Sequence, residues 1–229
     1  MYTLDRSLIA NLAPFAGLTP QDLDHILAKA RPARVAEGRP VFEQDAEAHS
    51  FFLLLDGHVR VVKTTADGEQ VIMRYVSSGQ LIGIAKALGR SSYPATAVAA
   101  VDCMLLAWPS EAWSELTLRY PGFAANTYKA VGERMEEAHD RMVELATAQV
   151  DRRVAHALLR LAKQTGRKTD EGMLIGFPIT RQDIADMTGT TLHTVSRLLT
   201  AWEYLGLVKS TRKKVTVVDA ERLQEHVGG

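Results

Sequence analysis

Residues 177–206 read FPITRQDIADMTGTTLHTVSRLLTAWEYLG, and the rest of the chain is understood outward from this stretch. The spacing predicts two short helices joined by a tight turn. Thr180 is placed as a helix N-cap with Asp183 in capping-box position, and apolar Ile184, Ala185 and Met187 follow. Gly189 breaks the pattern where the chain must turn. A second helix begins near Thr190 or Thr191. Its apolar residues Val195, Leu198, Leu199, Trp202 and Leu205 fall on one face of a period of about 3.6 residues. The other face, at the N-terminal end, presents His193, Ser196, Arg197 and Thr200 and is bare of apolar residues. Such a helix, held by a shorter one, suits insertion into a DNA major groove. On periodicity alone, a pair of amphipathic helices with an ordinary solvated face is the competing reading.

Detailed spacing separates the two. Ala185, Gly189 and Val195 sit where small, glycine and branched residues sit in bacterial helix-turn-helix proteins, counted from Arg181. The run Ile179-Thr180-Arg181-Gln182-Asp183-Ile184, continued by His193-Thr194-Val195-Ser196-Arg197, resembles the recognition segment of the cyclic-AMP receptor/fumarate-nitrate regulator superfamily of bacterial transcription factors. The resemblance implies an α+β architecture: an N-terminal double-stranded β-helix (jelly-roll) sensor domain over 1–120, a dimerisation helix over 121–150, and a C-terminal winged helix-turn-helix domain over 151–229.

Within the reading helix, Arg197 is the first candidate for base readout, because a guanidinium donates two hydrogen bonds to guanine O6 and N7. Ser196 can donate or accept. The superfamily often carries Glu-x-x-Ser-Arg here, and this chain has His193 at the first position. Glutamate accepts from cytosine N4, whereas histidine can donate to guanine or to a phosphate, so the operator is expected to differ at one base pair. Arg181, Gln182, Thr194 and Lys213 match superfamily positions that hold the phosphate backbone and set register. Arg212-Lys213-Lys214, between Leu207-Val208-Lys209 and Val215-Thr216-Val217-Val218, reads as the tip of a β-hairpin wing.

Upstream, no proline interrupts the chain from about Gly122 to Lys163, a span long enough to require a break near Val150-Asp151. Tyr128, Val131, Met135, Ala138, Met142, Leu145 and Gln149 step by threes and fours, an a/d seam of about three heptads flanked by charge. A homodimer is the favoured reading. The alternatives are that the stripe packs on its own β-roll, or that Tyr128, Met135 and Met142 line an apolar pocket between roll and helix. A dimer lets two reading helices address an inverted repeat with half-sites about one DNA turn apart.

The first half carries strand signals. A short helix opens at Thr19-Pro20-Gln21-Asp22, stapled by Leu18 and Leu23, and is expected to end near Arg31-Pro32. Phe51-Phe52-Leu53-Leu54-Leu55 is a buried run closed by Asp56-Gly57; His58–Thr65 and Val71–Val76 flank an Asp67-Gly68 hairpin turn, and strands are expected at Ala95–Val101 and Met104–Trp108. From about Ala36 to Trp108 this part resembles the superfamily's sensor roll. Where nucleotide-binding members carry Gly-Glu and Arg-Ser to grip ribose and cyclic phosphate, this chain has Gly83-Ile84 and Pro94-Ala95. Isoleucine accepts no hydrogen bond and proline neutralises no phosphate, so cyclic AMP is not expected to bind.

Composition narrows the signal further. Cys103 is the only cysteine, which excludes an internal disulfide and a cysteine-held iron–sulfur cluster. His193–Arg197 in a cysteine-poor chain is similar to the nitric-oxide-responsive branch that controls denitrification genes. That resemblance brings haem into consideration, with His25, His49, His58 and His139 as candidate ligands, each equally readable as a surface or structural histidine. The charges total 27 Lys/Arg and 27 Asp/Glu, yet residues 151–229 hold 13 against 9 and residues 1–150 hold 14 against 18. The basic excess lies with the expected DNA reader.

Met1–Leu12 is not built like a signal peptide and no apolar run approaches the ~20 residues that span a bilayer, so a cytoplasmic protein is expected. An enzyme is not expected: His49, Glu69 and His58 form no metal motif, and no nucleophile–base arrangement or phosphate-cradling loop is present. The expected partners are double-stranded DNA, a second copy of the chain and, by resemblance, RNA polymerase. The remaining alternative is a ligand-binding module whose C-terminal helices contact protein instead of DNA.

Overall fold

A computed structural model describes residues 4–228, so the first three residues of the Met1–Leu12 segment lie outside it. The chain divides into two compact units, one running up to Gly68 and resuming at Arg74–Glu137, the other made of Glu69–Met73 and the residues from Ala138 onward.

In the first unit, α1 (Pro20–Ala28) starts at the expected capping box, with Thr19 Oγ1 accepting from the Asp22 N–H. It stops three residues before the expected Arg31-Pro32 boundary. The cause is a distant partner: Arg31–Val35 forms β1, paired antiparallel with β8 from Arg31↔Ala107 to Val35↔Cys103. The strands that follow are β2 (Pro40–Phe42), β3 (Ser50–Asp56), β4 (His58–Thr64), β5 (Gln70–Ser77), β6 (Leu81–Ile82), β7 (Thr96–Ala99) and β8 (Cys103–Pro109). They form two four-stranded sheets, ordered β1-β8-β3-β6 and β2-β7-β4-β5, the double sheet expected of a jelly roll.

Strand β3 is apolar on both faces because both are covered. Leu54 joins Val59, Val76, Ala97 and Leu105 between the sheets, while Phe51 and Leu53 turn outward to a helical layer. That outer layer is aromatic. Trp108 stacks on Phe51 at 5.5 Å and donates its indole N–H to the Ile26 carbonyl at 2.8 Å, fixing α1 on the sheet. Helix α2 (Ala112–Arg119) brings Trp113 and Leu116, and the first turn of α3 (Pro121–Thr147) brings Phe123, into the same cluster.

Helix α3 is continuous for 27 residues, about 40 Å at the usual rise, and the division between the units falls within it. The expected break follows at Ala148–Gln149, after which α4 (Val150–Thr165) begins. Two three-residue strands that were not foreseen come next, β9 (Arg167–Thr169) and β10 (Gly172–Leu174). Then follow α5 (Arg181–Thr188), α6 (Leu192–Tyr204), the hairpin β11 (Val208–Ser210) and β12 (Val215–Val217), and α7 (Ala220–Gly228), also unforeseen. The wing is thus a four-stranded sheet, β11-β12-β10-β9, rather than a lone hairpin. Helices α4 and α6 pack on it and α5 packs against both, and Val154, Leu158, Ile184, Val195, Leu199 and Trp202 are all buried.

Candidate nucleic-acid interface

The reading element is built by local rules. Asp183 Oδ2 accepts from the Thr180 N–H at 2.8 Å and from its hydroxyl at 2.7 Å, while the Asp183 N–H donates back to Thr180 Oγ1 at 3.0 Å. This reciprocal box fixes where α5 starts. Its end is fixed by Gly189 in the left-handed conformation, φ 61°, which lets the chain reverse at once into Thr191, the N-cap of α6. Val195 and Leu199 of α6 are fully buried and Trp202 nearly so, which locks the helix's rotation about its axis.

That rotation leaves one stripe outward. His193, Ser196, Arg197, Thr200, Ala201, Tyr204 and Leu205 line a single wide, shallow depression. The three base-readout candidates are therefore together on one face. Among the described residues Arg197 forms no ion pair or hydrogen bond, so its donors are available to a ligand.

Two details differ from expectation. Leu205, expected on the buried face, is the C-cap of α6 and 42% exposed, because the helix ends at Tyr204 and Gly206 redirects the chain. The outer face is not bare of apolar groups either: Leu192 stands 47% exposed at its start and Tyr204 92% exposed at its end.

The phosphate candidates flank this stripe. Arg181 donates to Ser210 Oγ at 3.2 Å, and Ser210 in turn donates its hydroxyl to Glu203 Oε1 at 2.6 Å and its N–H to the same oxygen at 2.7 Å. Sequence reading missed Glu203 and Ser210. They tie the start of α5, the end of α6 and the first wing strand into one polar network. Gln182 donates to Asp186 at 2.6 Å within its own helix, and Thr194 shares a 3.0 Å hydroxyl–hydroxyl contact with Thr191. Lys213 lies in the wing turn closed by the Thr211 N–H to Lys214 carbonyl bond, and its own carbonyl accepts from Ile179 N–H at 3.0 Å. Arg212, Lys213 and Lys214 are all exposed.

A third missed residue braces the start of the reader. Arg153, in the first turn of α4, donates to the carbonyls of Ala148 and Thr188, each at 3.0 Å, and of Gly189 at 3.5 Å. A cation is thus placed on the carbonyls left over at the ends of α3 and α5. Glu144 in the last turns of α3 pairs with His156 and Arg160 of α4, each at 2.8 Å, which braces the same joint.

The seam residues of α3 separate into two groups. Val131 packs against the aromatic core of the first unit, as the roll-packing alternative required. Tyr128, Met135, Met142 and Leu145 are between 49% and 69% exposed, and Ala138 is exposed too, so Tyr128, Met135 and Met142 do not line an internal pocket.

In the roll, Ile84 is buried in the core, and beside Gly83 the rings of Phe42 and Tyr93 stack at 4.1 Å. Apolar packing fills the place of the superfamily's ribose-gripping carboxylate. Pro94 is exposed and its carbonyl accepts from Lys63.

Three of the four histidines stand with a local partner. His25 Nδ1 is 2.7 Å from the Tyr120 hydroxyl, His49 is 3.5 Å from Glu47, and His58 is 3.5 Å from Ser77 Oγ. Burial pushes the His58 imidazole below its usual range, with Asp56 opposing. His139 is exposed on α3. Among the described residues no three His, Cys, Asp or Glu side chains gather as a metal site.

Comparison with known proteins agrees with this geometry. Residues 32–120 match the cyclic nucleotide-binding domain family and residues 152–226 the Crp-like helix-turn-helix domain family. The chain is 31% identical to the cyclic AMP receptor protein of Thermus thermophilus over 92% of its own length and 94% of that protein's. It is 26% identical to the nitrogen fixation regulation protein FixK of Bradyrhizobium diazoefficiens, over 89% of this chain and 84% of that one. The structure of FixK2 from Bradyrhizobium japonicum superposes with a TM-score of 0.75 at 22% identity, covering 86% of this chain and 96% of that one. Among the described residues no helix is long and apolar enough to cross a membrane.

Proposed function

The chain belongs to the cyclic-AMP receptor/fumarate-nitrate regulator superfamily of DNA-binding transcriptional regulators, and from that premise we propose that it acts as a homodimer reading an inverted-repeat operator. The observation that carries this reading is the outward stripe of α6, where Arg197, His193 and Ser196 stand together on a helix whose rotation is fixed by Val195, Leu199 and Trp202. Arg197 and Ser196 read base edges; His193 reads the pair at which this operator departs from that of relatives with glutamate there. Arg181, Thr194 and Lys213 hold phosphates, with Gln182 joining them once it releases Asp186. The exposed residues of the α3 stripe, Tyr128, Met135, Ala138, Met142 and Leu145, form the contact between two copies and set the spacing of the two readers.

The roll receives the signal. With apolar packing at Ile84 and no cation at Pro94-Ala95, cyclic AMP is not its ligand. A nitric-oxide response through haem is supported by the resemblance of His193–Arg197 to the denitrification branch, with His25, His49, His58 and His139 the candidate ligands. RNA polymerase as a further partner rests on the same family resemblance.

Selecting bound sequences from random DNA tests the core of this reading. A dyad-symmetric site with half-sites about one turn apart is expected. Recovery of no preferred sequence, with binding that does not weaken as salt rises, would instead support a module acting through protein contacts. Repeating the selection with haemin and nitric oxide, and finding neither a shifted Soret band nor a changed affinity, removes the haem reading.

A further inference from the structure

Arg181 and Glu203 each carry their charge at the unfavourable end of a helix. Arg181 is the first residue of α5, where the helix dipole disfavours a cation, and Glu203 stands one residue from the end of α6, where it disfavours an anion. Neither placement is explained by its own helix. Among the described residues neither side chain forms an ion pair, so the two charges do not simply neutralise each other.

Ser210 stands between them, at the end of β11. A serine hydroxyl has one proton to give and lone pairs to receive others. Here the proton goes to Glu203 Oε1 at 2.6 Å, which leaves the oxygen to accept from the Arg181 guanidinium at 3.2 Å. The Ser210 N–H donates to the same Glu203 oxygen at 2.7 Å, so the carboxylate fixes the strand and the direction of the hydroxyl together. All three side chains are half-buried, where such a chain of bonds is stronger than in open water. Lys209, the neighbour of Ser210, is turned to the other side of β11 and pairs with Glu171 at 2.5 Å, which leaves Glu203 to the serine.

A hydroxyl in the middle has a different consequence from a direct ion pair. A carboxylate seated on Arg181 would occupy the fork of donors that a phosphate needs. A neutral acceptor orients the guanidinium through one of its five donors and leaves its charge and its other donors to a ligand. Holding a long side chain in place beforehand also removes its ordering cost from the binding step.

We propose that Glu203 is a positioning residue for DNA binding, acting through Ser210 to preset Arg181 for a backbone phosphate. This rests on the reading of Arg181 as a phosphate contact. It reverses the usual sign of charge: an acid in the unit that binds DNA strengthens the complex.

The test titrates the full chain with its selected operator and with a random-sequence duplex at several salt concentrations. By charge alone Glu203→Ala should tighten binding. The relay predicts instead that Glu203→Ala and Ser210→Ala each weaken both duplexes alike by about threefold to tenfold and lower the salt slope by about one, the value of one lost phosphate contact. Ser210→Ala added to Arg181→Ala should cost little beyond Arg181→Ala alone, and Ser210→Thr, which keeps the hydroxyl, should hold affinity and slope at the parent values. A purely structural role would lower the thermal midpoint and leave the slope as it was. If one of the two alanine variants fails to fold, the other decides. Tighter binding by Glu203→Ala, an unchanged slope, or losses from Ser210→Ala and Arg181→Ala that add overturns the relay alone. A parent chain that binds neither duplex overturns the relay and the regulator reading together, so the two failures are told apart.

Discussion

Replacing Arg153 with alanine tests whether the reading helices are held by a backbone clamp as well as by their apolar core. The guanidinium serves two carbonyls at 3.0 Å, one at the end of α3 and one at the end of α5, and a third more weakly at 3.5 Å. A hydrogen bond to a charged group is worth about 1.5–3 kcal/mol. The side chain is half-buried and water can reach part of the vacated space, so the two good bonds together should contribute about 2–3 kcal/mol rather than their full sum. For a unit near 100 residues each kcal/mol moves the midpoint by about 4–8 °C, so the C-terminal transition should fall by about 10 °C or somewhat more. Scanning calorimetry of the full chain measures it, with Arg153→Lys recovering at most about half because an ammonium cannot span both carbonyls. Operator and random DNA should both bind more weakly, since α5 rather than a base contact is disturbed. A midpoint within about 2 °C of the parent, or full recovery by lysine, would refute the clamp.

Three further outcomes follow from named contacts. Arg197→Ala should erase the preference for operator over random DNA, a loss of about 1–3 kcal/mol per half-site, whereas Lys213→Ala should weaken both alike and reduce the salt slope by about one; equal losses of specificity in titrations at fixed salt contradict the division of labour. Met135→Glu with Met142→Glu puts like charges on the exposed stripe of α3, and sedimentation should then find a single 25.2 kDa chain, whereas the proposed dimer predicts twice that mass for the parent. Gly172→Ala should disrupt the wing, since a Cβ there meets the Val217 carbonyl at 2.4 Å and φ is 124°, while Gly189→Ala, nearest Leu145 at 3.6 Å, should cost only the left-handed strain of about 1–2 kcal/mol; similar thermal losses in both would be inconsistent with backbone crowding.

What could be read in advance was what local chemistry encodes. The Thr180–Asp183 box, the Gly189 turn and the buried face through Val195, Leu199 and Trp202 depend on residues within a few positions of one another, and all are present. Where a distant partner decides, periodicity gave the wrong boundary. Arg31-Pro32 follows a helix and was placed at its end, yet β8 recruits it into β1. Strands β9 and β10 are three residues each, with no alternation long enough to see, and exist because β12 and each other complete them. Arg153, Glu203 and Ser210 were invisible for a related reason: their partners include backbone carbonyls and N–H groups, which carry no sequence signature.

Helix α3 shows how one heptad pattern can hold two partners. Stepping by threes and fours from Tyr128 selects Val131 as well as Met135, yet Val131 joins Phe123 and Thr127 on a face turned to the roll, and Arg134 extends that face by its bond to Leu81. The residues that stay exposed, Tyr128, Met135 and Met142, repeat every seven and form a narrower stripe about a quarter-turn or more away. A rigid helix gripped on one face cannot rotate without carrying the other with it. Any displacement of the gripped face therefore turns Tyr128 and Met135 with it, so the stripe proposed as the contact between two copies cannot respond independently of the face that packs on the roll.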